Sequence, residues 1–134
     1  MLKGNMVAGN GIDIIEVGRM KTLVDRWGTR LLEKIFTEEE IKYSESKSFS
    51  AQHLAARFAS KEAVFKAFEN AFPGQVGWRD IEVLNDRNGK PRIRLSGRAK
   101  KLKEKEKIDE VIISIAHTRN HAVASVVLTR KSNA

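Results

Sequence analysis

From Ala51 to Phe72 the chain contains neither glycine nor proline, and Pro73-Gly74 closes the run. Such a stretch predicts one long helix, the longest in the chain and the backbone of its core. Leu54 and Phe58 continue at four-residue steps to Glu62 and Lys66, beside a second row formed by Ala55, Ala59 and Ala63. Residues four apart share a helix face, so a carboxylate interrupts an apolar stripe. Burying an ionised carboxylate without a partner is costly, so Glu62 requires a cation, a shifted pKa or a cleft that water reaches. Lys66, one turn on, is the nearest cation, and a solvated Glu62–Lys66 pair worth only about 0.2–0.5 kcal/mol is the plain structural alternative. The adjacent row His53, Arg57, Lys61 is basic. One helix therefore presents a carboxylate beside a cationic ridge, a surface able to hold a metal with Glu62 and phosphates with Arg57, Lys61 and Lys66.

The remaining elements arrange themselves around this helix. VAGNGIDIIEV is β-branched and glycine-flanked and reads as a first strand, preceded by a tail of about five residues (1–5) and ended or bent at Gly18. Met20, Leu23, Val24, Trp27 and Leu31 recur at helical spacing between Arg19 and Leu32, with Arg19, Arg26 and Arg30 between them and Gly28 as an interruption. In FTEEE, Thr37 is a predicted N-cap and Glu40 completes a capping box. DIEVLND and PRIRLS flank an Asn88-Gly89 hairpin turn, GRAKKLKEKEKID is a solvated helix or helical loop, and VIISIAH and HAVASVVL form a second hairpin near Arg119-Asn120. This order predicts an α+β fold in one domain spanning residues 1–134, with an antiparallel sheet packed on the long helix.

With 134 residues the chain has the size of a single domain, and with no cysteine it has neither a disulfide framework nor a thiolate metal site. No run approaches membrane-spanning length and the N-terminus lacks the apolar core of a signal peptide, so a soluble cytoplasmic protein without membrane contact is expected. A net charge of +8 favours acidic partners such as nucleic acid, nucleotide-like cofactors or an acidic protein.

Asp13 lies in the first strand between Ile12, Ile14 and Ile15. It is either a strand-end residue near the surface or a second carboxylate for Glu62, making a hard oxygen site of the kind Mg²⁺ takes with one or two carboxylates, waters and phosphate oxygens. His117 ends VIISIAH in phase with Val111, Ile113 and Ile115, where a histidine is most simply a satisfied core or rim residue. Asn88-Gly89-Lys90-Pro91 is explained as a turn, with ligand contact as a secondary reading.

Taken in order, GIDIIEVGR, FTEEE, HLAARFASKEAVFKAF, WRDIEVLNDRNGKP and SIAHTRNHAVASVV resemble the holo-acyl-carrier-protein synthases. These blocks cover nearly the whole chain, and its length resembles the stand-alone type of the phosphopantetheinyl transferase superfamily. The resemblance implies the corresponding fold and a Mg²⁺-dependent transfer of 4′-phosphopantetheine from coenzyme A to a serine of apo-acyl carrier protein, in support of fatty acid biosynthesis. It matches Asp13 and Glu62 to metal-binding carboxylates, and Arg57 and Lys66 to positions facing coenzyme A phosphates, with Lys61 in the same motif. His117 matches a histidine beside the coenzyme A site, and Gly89, Lys90 and Pro91 match a hairpin near its nucleotide end. Arg19 matches a helix that docks on the acidic carrier protein, and the same helix offers Met20, Arg26 and Arg30. The resemblance also implies a homotrimer with active sites between subunits. Ala116 departs from the pattern, which often has a serine or threonine there, so no hydrogen bond from that hydroxyl carries over.

Two rival classes use similar composition. A metal-dependent phosphodiesterase or nuclease also combines acidic residues, a lysine and positive charge, but more often mounts them on strands. A non-catalytic nucleic-acid-binding module needs exposed aromatics for base stacking, whereas Phe58, Phe65, Phe68, Phe72 and Trp27 fall at helical core spacing.

Overall fold

The computed structural model describes residues 4–69, 71 and 73–132. Residues 1–3 of the expected tail and Phe72 of the expected helix lie outside the described residues. The fold is α+β, as the order of elements predicts. Strand β1 (Asn5–Glu16) leads into helices α1 (Val17–Trp27), α2 (Thr29–Ile35), α3 (Glu38–Glu45) and α4 (Ser50–Ala67). A hairpin of β2 (Ile81–Asn85) and β3 (Pro91–Leu95), helix α5 (Gly97–Lys105), and strands β4 (Glu110–His117) and β5 (His121–Lys131) complete the chain. The three long strands form an antiparallel sheet in the order β1-β5-β4, and β2-β3 is a separate pair.

Local chemistry explains the boundaries. Strand β1 starts at Asn5, opposite Lys131, so pairing extends into the segment read as a tail. Gly18 falls inside the first turn of α1, after the strand has ended. The expected helix over 19–32 is divided at Gly28 into α1 and α2. The capping box forms as expected: Glu40 N–H donates to Thr37 Oγ1 at 3.3 Å and Thr37 N–H donates to Glu40 Oε1 at 3.0 Å. Helix α4 ends at Ala67, short of the expected Phe72, because Phe68 turns extended (φ −86°, ψ 124°) after its N–H has bonded the Val64 carbonyl.

Helix α4 is the centre of the core. Ala55, Ala59 and Ala63 are fully buried and meet the sheet through Ala122, Ala124 and Val126, which are buried as completely. Small residues on both surfaces allow close approach, and β1 approaches closest. A Cβ on Gly11 would stand 2.1 Å from the Ala63 carbonyl oxygen, and one on Gly9 would stand 2.3 Å from that of Ala67. No side chain fits there, so glycine at these positions fixes how deeply β1 lies on α4. Because strand side chains alternate, Gly11, Asp13 and Ile15 face the helix while Ile12 and Ile14 face away. On the far side of α4, Phe65 meets Trp78 edge-on with ring centroids 5.1 Å apart, and Phe58 stacks on the same ring at 5.2 Å.

Candidate active site

The alternation that buries Ile15 also turns Asp13 toward α4, where Lys66 Nζ donates to Asp13 Oδ1 at 2.9 Å and to the Ile12 carbonyl at 3.1 Å. Lys66 thus pairs with Asp13, and the simple Glu62–Lys66 edge pair does not form. Glu62 is half-buried at the same flank of the helix. Burial first, and then the negative charge of Asp13, hold its carboxyl above the usual carboxylate range, with Lys66 acting in the opposite direction. A half-buried Glu62 whose ionisation is made costlier by a neighbouring carboxylate, beside a single lysine, makes a site that a cation stabilises. Among the described residues no group of three or more His, Cys, Asp or Glu is disposed to hold a metal. The donor set at this flank is two carboxylates, which suits a Mg²⁺ ion that keeps waters and binds phosphate oxygens.

A second cluster occupies the other flank of α4. His117, exposed at the end of β4, lies against His53 with ring centroids 6.0 Å apart, and His53 meets Tyr43 of α3 at 5.7 Å. The Arg57 guanidinium sits 4.2 Å from the centre of the Tyr43 ring, and Lys47 Nζ lies 4.9 Å from it. Burial, together with the charges of Arg57, His117 and Lys47, pushes the His53 pKa down, which favours the neutral imidazole. Nine residues separate His53 from Glu62, which turns them to roughly opposite sides of the helix and about 13 Å apart along its axis. Within one chain, therefore, His117 and the Asp13–Glu62 pair stand at separate places.

Lys61 does not face the phosphate-binding surface that the basic row predicts. Its side chain is wholly buried, and Nζ donates to Glu40 Oε1 at 2.7 Å and to the carbonyl oxygens of Ile35, Trp78 and Ile81 at 2.9, 3.0 and 2.6 Å. All donors of its ammonium are spent on the core. Glu40, whose other oxygen accepts from Val83 N–H at 3.1 Å, is thus both half of the capping box and the counter-ion of Lys61.

Arg57 is also buried, at 3 % exposure, and its Nη2 donates to Asn85 Oδ1 at 2.6 Å. Gly89, Lys90 and Pro91 stand at and just beyond the tip of the β2–β3 hairpin. The loop differs from a two-residue Asn-Gly turn: Asp86 N–H bonds the Lys90 carbonyl at 2.9 Å, and Gly89 (φ 81°) supplies the positive backbone angle. Lys90, Pro91, Arg92, Lys100 and Lys103 line a cleft of about 640 Å³ between this hairpin, α5 and β4. None of the carboxylate pair borders it.

On α1 and α2, Arg19, Arg26 and Arg30 are exposed. Met20 is not a surface residue: at 1 % exposure it belongs to the core, so its expected contact with a partner does not hold. Trp27, expected in the core, is 53 % exposed, with the Arg26 guanidinium 5.4 Å from its ring centre. The last residue of a helix followed by glycine is free of the packing its periodicity suggests, and that is the signal the spacing hides. Tyr43 and Asn85 escaped the sequence reading, and His53 entered it only as part of the basic row, because each gains its meaning from partners on other elements.

Comparison with known proteins agrees with this architecture. Residues 9–126 match the family model of the 4′-phosphopantetheinyl transferase superfamily. A holo-[acyl-carrier-protein] synthase of Geotalea daltonii is 40 % identical over 125 residues, covering 93 % of this chain and 100 % of the relative. The crystal structure of the Neisseria meningitidis synthase superposes with a TM-score of 0.84 at 31 % identity, covering 92 % of this chain and 98 % of that one. The Helicobacter pylori synthase, solved in complex with coenzyme A, superposes with a TM-score of 0.78 at 29 % identity, covering 89 % and 98 %. By the match along its length and by its fold, the chain belongs to the 4′-phosphopantetheinyl transferase superfamily, among the holo-[acyl-carrier-protein] synthases.

Proposed function

We propose that Asp13 and Glu62 hold Mg²⁺ while this chain transfers the 4′-phosphopantetheine arm of coenzyme A to a serine of apo-acyl carrier protein. The observation that carries this reading is the meeting of Asp13, Glu62 and Lys66 across the β1–α4 contact. The serine oxygen forms a bond to the β-phosphorus of coenzyme A, the bond from that phosphorus to the bridging oxygen breaks, and adenosine 3′,5′-bisphosphate leaves. Bound between the carboxylates, Mg²⁺ would neutralise charge on the pyrophosphate. Lys66 supplies a further positive charge at the same flank, and Glu62 is the acceptor for the serine proton, with His117 as the other candidate. His117, on the opposite flank with Arg57, belongs to the coenzyme A end of the site. Arg19, Arg26 and Arg30 form the docking surface for the acidic carrier.

The two flanks also bear on assembly. Asp13 is on β1 and His117 on β4, the two edge strands of the sheet, so one chain offers half of the site at each edge. A homotrimer in which the β1 flank of one copy meets the β4 flank of the next completes the site. Among the described residues no helix is long and apolar enough to cross a membrane, which suits a cytoplasmic enzyme with a soluble partner.

The test is mass spectrometry of apo-acyl carrier protein incubated with coenzyme A, the protein and Mg²⁺. The expected result is the phosphopantetheine increment on the carrier with release of adenosine 3′,5′-bisphosphate, lost when Mg²⁺ is chelated. Cleavage of coenzyme A with no increment on any carrier would favour a phosphodiesterase and overturn the reading.

A further inference from the structure

We infer that Asn85 is a positioning residue for coenzyme A, acting through Arg57 and the turn that carries Gly89 and Lys90, an inference that rests on the transfer reading above. Asn85 closes β2. Its Oδ1 accepts from Arg57 Nη2 at 2.6 Å, and its Nδ2 donates to the Gly89 carbonyl at 3.0 Å. One planar amide thus joins the guanidinium of α4 to the hairpin tip, and the guanidinium in turn stands on the Tyr43 ring of α3. Two elements that carry proposed coenzyme A contacts are connected through a single side chain.

The choice of an amide has a chemical consequence. Asn85 offers a neutral acceptor, so it fixes Arg57 without cancelling its charge. The neighbouring Asp86 does not cancel it either, because its Oδ1 accepts from Asn88 N–H at 2.8 Å and Lys90 N–H at 2.9 Å to close the turn. Glu40, whose charge acts on Arg57, is ion-paired with Lys61. Among the described residues no carboxylate forms an ion pair with Arg57, and its buried Nε has no partner. A buried guanidinium held in place but left unneutralised has its charge available to an anionic ligand. The same amide anchors the turn beside Lys90. Removing it releases both cations at once.

Steady-state kinetics of Asn85→Ala and Asn85→Asp, beside the wild type, test this. Asn85→Ala is expected to raise KM for coenzyme A about tenfold, with kcat and KM for the carrier within about twofold of wild type. Asn85→Asp keeps the acceptor for Arg57, adds a charge and gives up the donor to the Gly89 carbonyl, so it is expected to raise KM for coenzyme A at least as much. It also carries the test if the alanine variant fails to fold. In a double-mutant cycle with Arg57→Lys, the two effects on KM should be less than additive. Unchanged KM for coenzyme A in Asn85→Asp, full additivity with Arg57→Lys, or an equal rise in KM for the carrier would each overturn the role of Asn85. A wild type without transfer activity would instead overturn the transfer reading.

Discussion

Glu62 stands at a position that stability alone would not select. Burial and Asp13 raise its pKa, so the folded state holds the proton more tightly than the unfolded state does. Below the unfolded carboxylate pKa both states are protonated and the position costs nothing; as pH rises through the interval up to the folded value, ionisation removes stability. Glu62→Gln, which cannot ionise, is therefore expected to melt higher than wild type in chelator at neutral pH, with the gap closing as pH falls below about 4. Water screens this partly exposed site, so the gain should be small, on the order of half a kcal/mol. Transfer should fall by two orders of magnitude or more, on the scale of general base loss. A variant that melts lower at pH 7 than at pH 4 relative to wild type would contradict the electrostatic account, and wild-type kcat would remove Glu62 as proton acceptor. Much of this residue was legible beforehand, since a carboxylate in an apolar stripe demands a reason. Lys61 next to it was not. Periodicity places residues relative to one another around a helix but does not say which side meets a second layer, and the partner that decides the matter, Glu40, lies 21 residues away.

At the scale of elements, α1 and α2 present the residues of the proposed docking surface outside the core. Met20, Leu32 and Ile35 are buried in the core while Arg19, Arg26, Trp27 and Arg30 stand outside it. Arginine and tryptophan at a surface are the residue types that most often anchor a protein partner, and stacking Arg26 on Trp27 lets one patch offer charge and apolar area together. Against an acidic carrier, the charges should act mainly on encounter and the tryptophan mainly on residence. Arg26→Glu with Arg30→Glu is expected to lower kcat/KM for the carrier by about tenfold or more at low salt, with the deficit narrowing as ionic strength rises, and to leave KM for coenzyme A unaltered. Equal loss for both substrates would assign the change to folding instead. The elements themselves were well marked in the sequence: the capping box, the Gly28 break and both hairpins follow from residues close together in the chain. The end of α4 was not, because Phe68 leaves the helix before any proline or glycine compels it.

The whole molecule leaves one surface unaccounted for by a single chain. On the face of the sheet turned away from α4, Ile12 and Ile14 are 62 % and 64 % exposed and Ile112 is 47 % exposed. The register aligns Ile14 with Val123 and Ala116, Ile12 with Ser125 and Ser114, and Asn10 with Val127 and Ile112, so apolar side chains from all three strands share this face with two serines and an asparagine among them. Exposed isoleucines on a sheet whose edges are both unpaired among the described residues are a surface that the proposed trimer would cover. The same assembly answers the separation of the two flanks, because a copy docked on the sheet can bring its His117 flank to the Asp13–Glu62 flank of its neighbour. Light scattering is expected to give a trimer for the wild type and a smaller species for Ile14→Lys, with transfer activity lost together with assembly. Shared sites make a sharper demand. Glu62→Gln chains and His117→Ala chains are each expected to be impaired, yet when co-expressed they should recover activity, because random assembly leaves about a quarter of the intersubunit sites with both native groups. Sites contained within one chain would show no recovery, since every chain then carries a defect. A fully active monomer, or a mixture no better than its two components, would exclude a site built between copies.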